Sequence, residues 1–261
     1  MMLVDTHAHL YMGHFDHDRD QVIQRAVENG IRRILLPNID SDSIRPMNQL
    51  VKTFPDVCHP MMGLHPTSVG SNYREEFDNI RKQLLSGDYV AIGEIGIDLY
   101  WDKTHLREQC LVFEQELDLA VEMDKPVVIH ARDSFDVIFE VLQKYEGKGV
   151  KGIFHAFSGN PAQALEAVER GFLIGIGGMV TYKNSGVDRA VMELDLSHMV
   201  LETDAPFLPP VPHRGKRNEP AYITHVAEAV ARLKSVDQAA VAHTTSANAM
   251  QLFGLKQESE I

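Results

Sequence analysis

Cysteine is nearly absent from this chain. Only two occur in 261 residues, Cys58 in an apolar run and Cys110 in a helical pattern, with no C-x-x-C spacing. That excludes a disulfide-stapled scaffold, a dithiol redox pair and a thiolate zinc knuckle, and fits a reducing cytoplasm. Long hydrophobic runs are also missing. No stretch approaches the roughly 20 apolar residues of a membrane span, and Met1-Met2-Leu3-Val4-Asp5 lacks the basic start and longer apolar core of a signal peptide. A soluble, unexported, cytoplasmic protein without membrane partners is the expectation. Basic residues are scarce as well: 25 Lys and Arg stand against 37 Asp and Glu, a formal net charge of -12. This disfavours a passive binder that hugs a nucleic-acid backbone, but leaves open an enzyme that meets phosphate through bound cations.

What is present is a regular alternation. Short β-branched or apolar runs at 3–9, 31–37, 57–64, 89–93, 127–130, 152–155, 172–176 and 199–202 read as strands, separated by segments of helical period. The clearest helix covers 104–123, where Leu106, Cys110, Phe113, Leu117 and Ala120 recur at three- and four-residue steps before Lys125-Pro126 ends it. A second follows Asp133-Ser134 and closes on Gly147, and a third starts at the Asn160-Pro161 cap. Eight strands each followed by a helix close most simply into an α/β fold of the (β/α)8, TIM-barrel type. With 44% hydrophobic residues the chain can bury one full core, so a single domain over 1–255 and a polar tail at 256–261 are expected. The longest irregular stretch, 205–220, holds Arg214, Lys216 and Arg217, and a loop of that length is expected to be functional or disordered.

Ionisable residues gather at the strand ends. Val4-Asp5-Thr6-His7-Ala8-His9 puts two imidazoles on one side of strand 1, because side chains alternate with a period of 2. Strand 4 leads to Glu94, strand 5 to His130, strand 6 to His155 and strand 8 to Asp204. Each alone reads as an ordinary polar terminus. Together they ring the face of a barrel where active sites form. Imidazole plus carboxylate without thiolate suits Zn²⁺, Mn²⁺, Fe²⁺ or Mg²⁺. Six ligands exceed one tetrahedral ion and fit two, with Glu94 able to bridge because it has two oxygens. Such a pair activates water, so hydrolysis is expected, with Glu94 and Asp204 as catalytic residues.

The motifs His7-Ala8-His9, Gly63-Leu64-His65-Pro66, Gly93-Glu94-Ile95-Gly96-Ile97-Asp98, His130-Ala131-Arg132-Asp133, His155-Ala156-Phe157-Ser158-Gly159, Glu202-Thr203-Asp204-Ala205-Pro206 and Arg217-Asn218-Glu219-Pro220 occur in that order. In order and content they resemble the TatD family of metal-dependent deoxyribonucleases, within the amidohydrolase-like metal barrels. The resemblance covers Val4 to about Gly254. It implies that His7, His9, Glu94 and Asp204 hold one ion, and Glu94, His130 and His155 the other. It also implies hydrolysis of DNA, single-stranded or end-frayed, from a 3′ end with Mg²⁺ or Mn²⁺. Zn²⁺ stays open as the metal. Relatives often carry two arginines before Asn-Glu-Pro where this chain has Lys216-Arg217, a change that keeps charge but weakens a bidentate phosphate grip.

Other residues carry paired readings. His65 is a candidate for substrate phosphate or a further ion, or simply a turn cap before Pro66. Glu202 is a candidate to orient a ligand histidine, or a buried partner of some basic residue. Arg132, Lys216 and Arg217, with Lys183 and Arg214 beside them, are candidates for a basic rim that binds phosphate, or for ordinary solvated charge. Tyr100 and Trp101 are expected to shield the barrel mouth as apolar packing, with base stacking as the lesser alternative. Two rival functions remain: a two-metal hydrolase of a small amide, ester or lactone, and a non-catalytic metal-binding regulator. No lysine lies at 91–98 to serve as a carbamylated bridge, against the typical amide-cleaving barrels.

Overall fold

The computed structural model of the chain describes residues 2–256. Apart from Lys256, the expected polar tail lies outside the described residues. Eight strands run β1 (Leu3–Asp5), β2 (Ile31–Leu36), β3 (Cys58–Pro60), β4 (Ile92–Asp98), β5 (Val127–Arg132), β6 (Gly152–Phe154), β7 (Phe172–Ile176) and β8 (Met199–Leu201). The helices are α1 (Arg19–Glu28), α2 (Ser41–Thr53), α3 (Tyr73–Ser86), α4 (Leu106–Met123), α5 (Phe135–Gln143), α6 (Pro161–Glu169), α7 (Val187–Glu193), α8 (Ile223–Lys234) and α9 (Gln238–Phe253). All ladder pairs are parallel and follow chain order, β1-β2-β3 in one arc and β4 through β8 in another. Irregular backbone bonds span both seams. Val90 N–H donates to Pro60 and Met62 N–H to Ala91 at 3.0 and 3.2 Å, while Thr6 N–H donates to Leu201 at 3.1 Å and Asp204 N–H to His7 at 2.8 Å. The architecture is a (β/α)8 barrel.

Period-2 alternation sorts the strands into two layers. Val4, Leu35, Met61, Ala91, Val128, Ile153 and Val200 form an inner cluster, while their neighbours Leu3, Ile34, Ile92, Val127, Phe154 and Leu201 pack outward under the helices. The inner cluster also takes in Ala249, Met250 and Phe253 of α9. Side chains of α9 bond back to the strand starts: Asn248 donates to Leu196 and Met199 carbonyls at 2.8 Å, and Ser246 to Met2 at 3.3 Å. The last helix therefore stops the barrel at its N-terminal end. The opposite end is left open for chemistry.

Three strands differ from the expectation by more than two residues. The ladder of β1 ends at Asp5 rather than His9, because the Asp5 carboxylate accepts the His7 N–H at 3.2 Å and turns the chain out of register. β3 stops at Pro60, where 61–64 continue by irregular bonds. β4 starts later and runs to Asp98 rather than ending at Gly93, since a bulge between Gly93 and Ile95 interrupts the apolar alternation that marks a strand. Capping behaves as expected at α6, where Asn160 accepts the Gln163 N–H at 3.0 Å and Gln163 returns a bond to the Asn160 N–H at 2.9 Å.

Phe253→Ala removes the largest side chain of this stopper. Urea unfolding followed by circular dichroism is expected to show a loss of about 3–5 kcal/mol. A loss under about 1 kcal/mol would mean that α9 does not seal the barrel.

Candidate metal centre

The inward period of the strands, carried to or past their C-terminal ends, delivers most of the polar side chains. Two residues beyond Val128 comes His130, two beyond Ile153 comes His155, and Val200 leads to Glu202 and Asp204. On β1 the Asp5 turn reverses the parity, so Ala8 packs outward and His7 and His9 reach the mouth. On β4 the bulge does the same for Glu94, after which Gly96 and Asp98 also face inward. Gly96 has φ +131, and a Cβ there would press on the His130 carbonyl, so only glycine lets β4 and β5 pair at this height.

Glu94 lies at the centre, 2% exposed. Its Oε2 is 3.1 Å from His7 Nε2 and 3.6 Å from His9 Nε2. Its Oε1 is 2.6 Å from His155 Nε2, 2.9 Å from His130 Nδ1 and 3.2 Å from His65 Nε2. Asp204 Oδ1 stands 3.8 Å from His7 Nε2 and 3.6 Å from His9 Nε2, on the Oε2 side. Carboxylates hold the imidazoles from behind. Asp98 Oδ2 is 2.8 Å from His130 Nε2, and Glu202 accepts the Ala156 N–H with its Oε1 3.7 Å from His155 Nδ1. Tyr11 OH sits 3.0 Å from His9 Nδ1 and donates to the Pro37 carbonyl at 2.6 Å.

The electrostatics are those of an anion that needs cations. Burial alone would raise the Glu94 carboxyl, but charge on His155, His65 and His7 and the bond from His130 hold it well below the ordinary range. Burial opposes protonation of His155, yet Glu94 and Glu202 keep its pKa well above the usual value, and Asp98 and Glu94 raise His130 in the same way. His7 and His9 are lowered, first by burial and then by the neighbouring imidazoles. Asp204 is pushed up to about 8 by burial.

The donor set fits divalent ions. His7 Nε2 and His9 Nε2 approach to 3.2 Å, and His155 Nε2 and His130 Nδ1 to 3.4 Å. Two nitrogens bound at about 2.0–2.1 Å to one tetrahedral ion stand roughly 3.3 Å apart. Donor atoms of His7, His9 and Glu94, of His7, His155 and Asp204, and of His65, Glu94 and His130 each lie within 4.8 Å of one another. The buried cluster is therefore capable of holding metal.

The remaining expected residues divide. His65 joins the Glu94 cluster rather than only capping its turn, although its Nδ1 also accepts the Thr67 N–H at 3.1 Å. Arg132 lines the cavity of about 600 Å³ above the cluster, as do Asp98, Trp101 and Phe207. Lys216 and Arg217 do not line it. Lys216 is exposed, and Arg217 is engaged elsewhere, its guanidinium bonded to both Asp18 oxygens at 2.7 Å. Arg217 thus serves as a strut to the segment before α1, a role that no spacing announces. Asp98 was not singled out from sequence, because a strand ending at Gly93 leaves it in a loop; its i+4 position from Glu94 on an extended β4 is the signal that finds it.

A carboxyl raised in the folded state stabilises the fold fully below its unfolded pKa, and that contribution is lost as pH rises through the folded value. In chelator, Asp204 therefore costs stability between pH 3.8 and about 8. Asp204→Asn is expected to flatten that part of the pH dependence in urea unfolding. The wild-type slope persisting in the variant would contradict the burial of this group.

Comparisons with known proteins identify the family. A family model described as TatD related DNase matches residues 4–254. The metal-dependent hydrolase YabD of Bacillus subtilis is 36% identical, over 97% of this chain and 99% of that protein. The 3′-5′ ssDNA/RNA exonuclease TatD of Erwinia tasmaniensis is 30% identical over 97% of this chain and its whole length, 100%. The crystal structure of YjjV, a TatD homolog from Escherichia coli K12, superposes with a TM-score of 0.91 at 28% identity, covering 97% of this chain and 98% of that one. A buried His, Glu and Asp cluster at the open end of a barrel, in a chain matched along nearly its whole length, places this protein in the TatD family of metal-dependent hydrolases.

Proposed function

We propose that the chain hydrolyses phosphodiester bonds at the 3′ end of single-stranded nucleic acid, with two divalent cations held by His7, His9, Glu94, His130, His155 and Asp204. The observation that carries this reading is the division of Glu94, whose two oxygens face separate donor sets. His7, His9 and Asp204 serve the Oε2 side, and His130 and His155 the Oε1 side. When bound, the ions lower the pKa of water and neutralise charge on the attacking and leaving oxygens. Mg²⁺, Mn²⁺ and Zn²⁺ all suit the oxygen and nitrogen donors.

The chain supplies the rest. Arg132 binds the phosphate at the rim, where its guanidinium makes no ion pair or hydrogen bond among the described residues. Asp204, which lines the cavity beside His7 and His9, takes the proton of the attacking water. Asp98 fixes the ring of His130 so that its nitrogen facing Glu94 stays aimed at it, and Glu202 places negative charge 3.7 Å behind the His155 ring. The nucleic-acid substrate is supported by the activity named for the Erwinia relative. The absence of lysine in β4 weighs against the typical amide-cleaving chemistry of such barrels.

Protein stripped with chelator and resupplied with Mg²⁺, Mn²⁺ or Zn²⁺ is expected to shorten a 5′-labelled single strand stepwise from its 3′ end. Turnover of a lactone or dipeptide with no cleavage of DNA under all three metals would contradict the proposal. Glu94→Ala is expected to abolish cleavage and bring bound metal below two ions per chain. Wild-type metal content in that variant would remove the bridging role.

A further inference from the structure

Trp101 stands at the mouth of the cavity and lines it, yet its side chain is not packed away. It is 70% exposed, more than any other large apolar residue described, and the adjoining Tyr100 is 53% exposed. A shield over the barrel mouth would bury these rings. The apolar-packing expectation for the pair therefore fails, because an indole left in water contributes nothing to the core.

The segment that carries the exposed ring is nevertheless held in place. Asp98 Oδ1 accepts the backbone N–H of Tyr100 at 3.0 Å and of Trp101 at 3.2 Å. The other oxygen of the same carboxylate meets His130 at 2.8 Å. One side chain thus fixes both an imidazole of the cluster and the segment that carries the indole. Tyr100 meets Trp101 edge to face, with centroids 5.0 Å apart at 88°, and among the described residues no ring lies parallel on the indole. The Arg132 guanidinium lies 3.8 Å over Tyr100 and 5.3 Å from the Trp101 centroid. Stacking on Tyr100 orients the guanidinium while leaving its N–H donors without a protein acceptor among the described residues.

The geometry points to a nucleotide subsite in which Trp101 stacks on a base of the bound strand and Arg132, braced by Tyr100, grips the adjoining phosphate. This rests on the nuclease reading and deepens it. The site then selects a nucleotide end rather than any phosphodiester, and it does so without preference among bases, because every base has a π-face. Trp101 is a specificity-determining residue in this account, and Asp98 a positioning residue that ties it to His130.

Trp101 is the chain's one tryptophan, so indole emission reports on this position alone. The metal-loaded protein should be titrated with phosphorothioate-linked oligothymidylate and with an abasic oligomer of equal length. Quenching by the first and little by the second is expected. In cleavage assays on the ordinary phosphodiester strands, Trp101→Ala should reduce the ratio of kcat/KM for oligothymidylate over abasic strand by roughly 5- to 150-fold, and Trp101→Phe should restore most of it. Equal quenching by both oligomers, or a ratio unchanged in Trp101→Ala while the wild type digests DNA, overturns the platform and leaves the nuclease reading standing. A wild type that digests neither strand with any of the three metals overturns both.

Discussion

A carboxylate almost wholly buried must be met by positive charge, and Glu94 is such a group. Five imidazoles lie within 3.6 Å of its two oxygens. Without metal, Glu94 favours the protonated forms of His130 and His155, whose pKa values are raised, while burial lowers those of His7 and His9. Divalent ions would replace those protons, and the ligand histidines must be neutral to accept them. The same constraint explains the outer carboxylates. Asp98 bonds the far nitrogen of His130 and so fixes its ring, while Glu202 faces the far nitrogen of His155 at 3.7 Å and supplies charge.

The barrel is built around that requirement. α9 stops one end with Phe253, which leaves the other end free for polar groups that a packed core would exclude. The long segment at 205–220 is tied down on both sides rather than left loose. Asn218 donates to the Thr203 and Phe207 carbonyls at 2.7 and 2.6 Å, Glu219 pairs with Arg25 through both oxygens, and Arg217 pairs with Asp18. Beneath it Asp5, pushed up to about 7 by burial, accepts the Thr203 N–H and hydroxyl and so joins the first strand to the last. The rigidity of this region sets where Asp204 stands relative to His7 and His9.

Much of this was legible in the residues. The strand and helix order, β7 to the residue, and the arrival of His130, His155 and Asp204 at one end follow from periodicity and from the geometry of a parallel barrel, and a period of 2 puts His7 and His9 on one side. What stayed hidden was set by contacts distant in sequence. The bulge that turns Glu94 inward breaks the alternation a strand is recognised by, so Asp98 fell into an apparent loop. Arg217 looked like a free cation because its partner Asp18 lies 199 residues away in sequence. Trp101 could be given either role until its exposure was known, since packing and stacking ask for the same side chain. His65 was equally open, and only the approach of Glu94 distinguishes a member of the cluster from a turn cap.

The central claim is that one carboxylate joins two cation positions. Electron paramagnetic resonance of the protein loaded with two equivalents of Mn²⁺ tests it most directly, because ions that share a bridging group couple their spins. The account predicts an exchange-coupled spectrum in the wild type. The resolved hyperfine pattern of isolated ions at the same loading would contradict it.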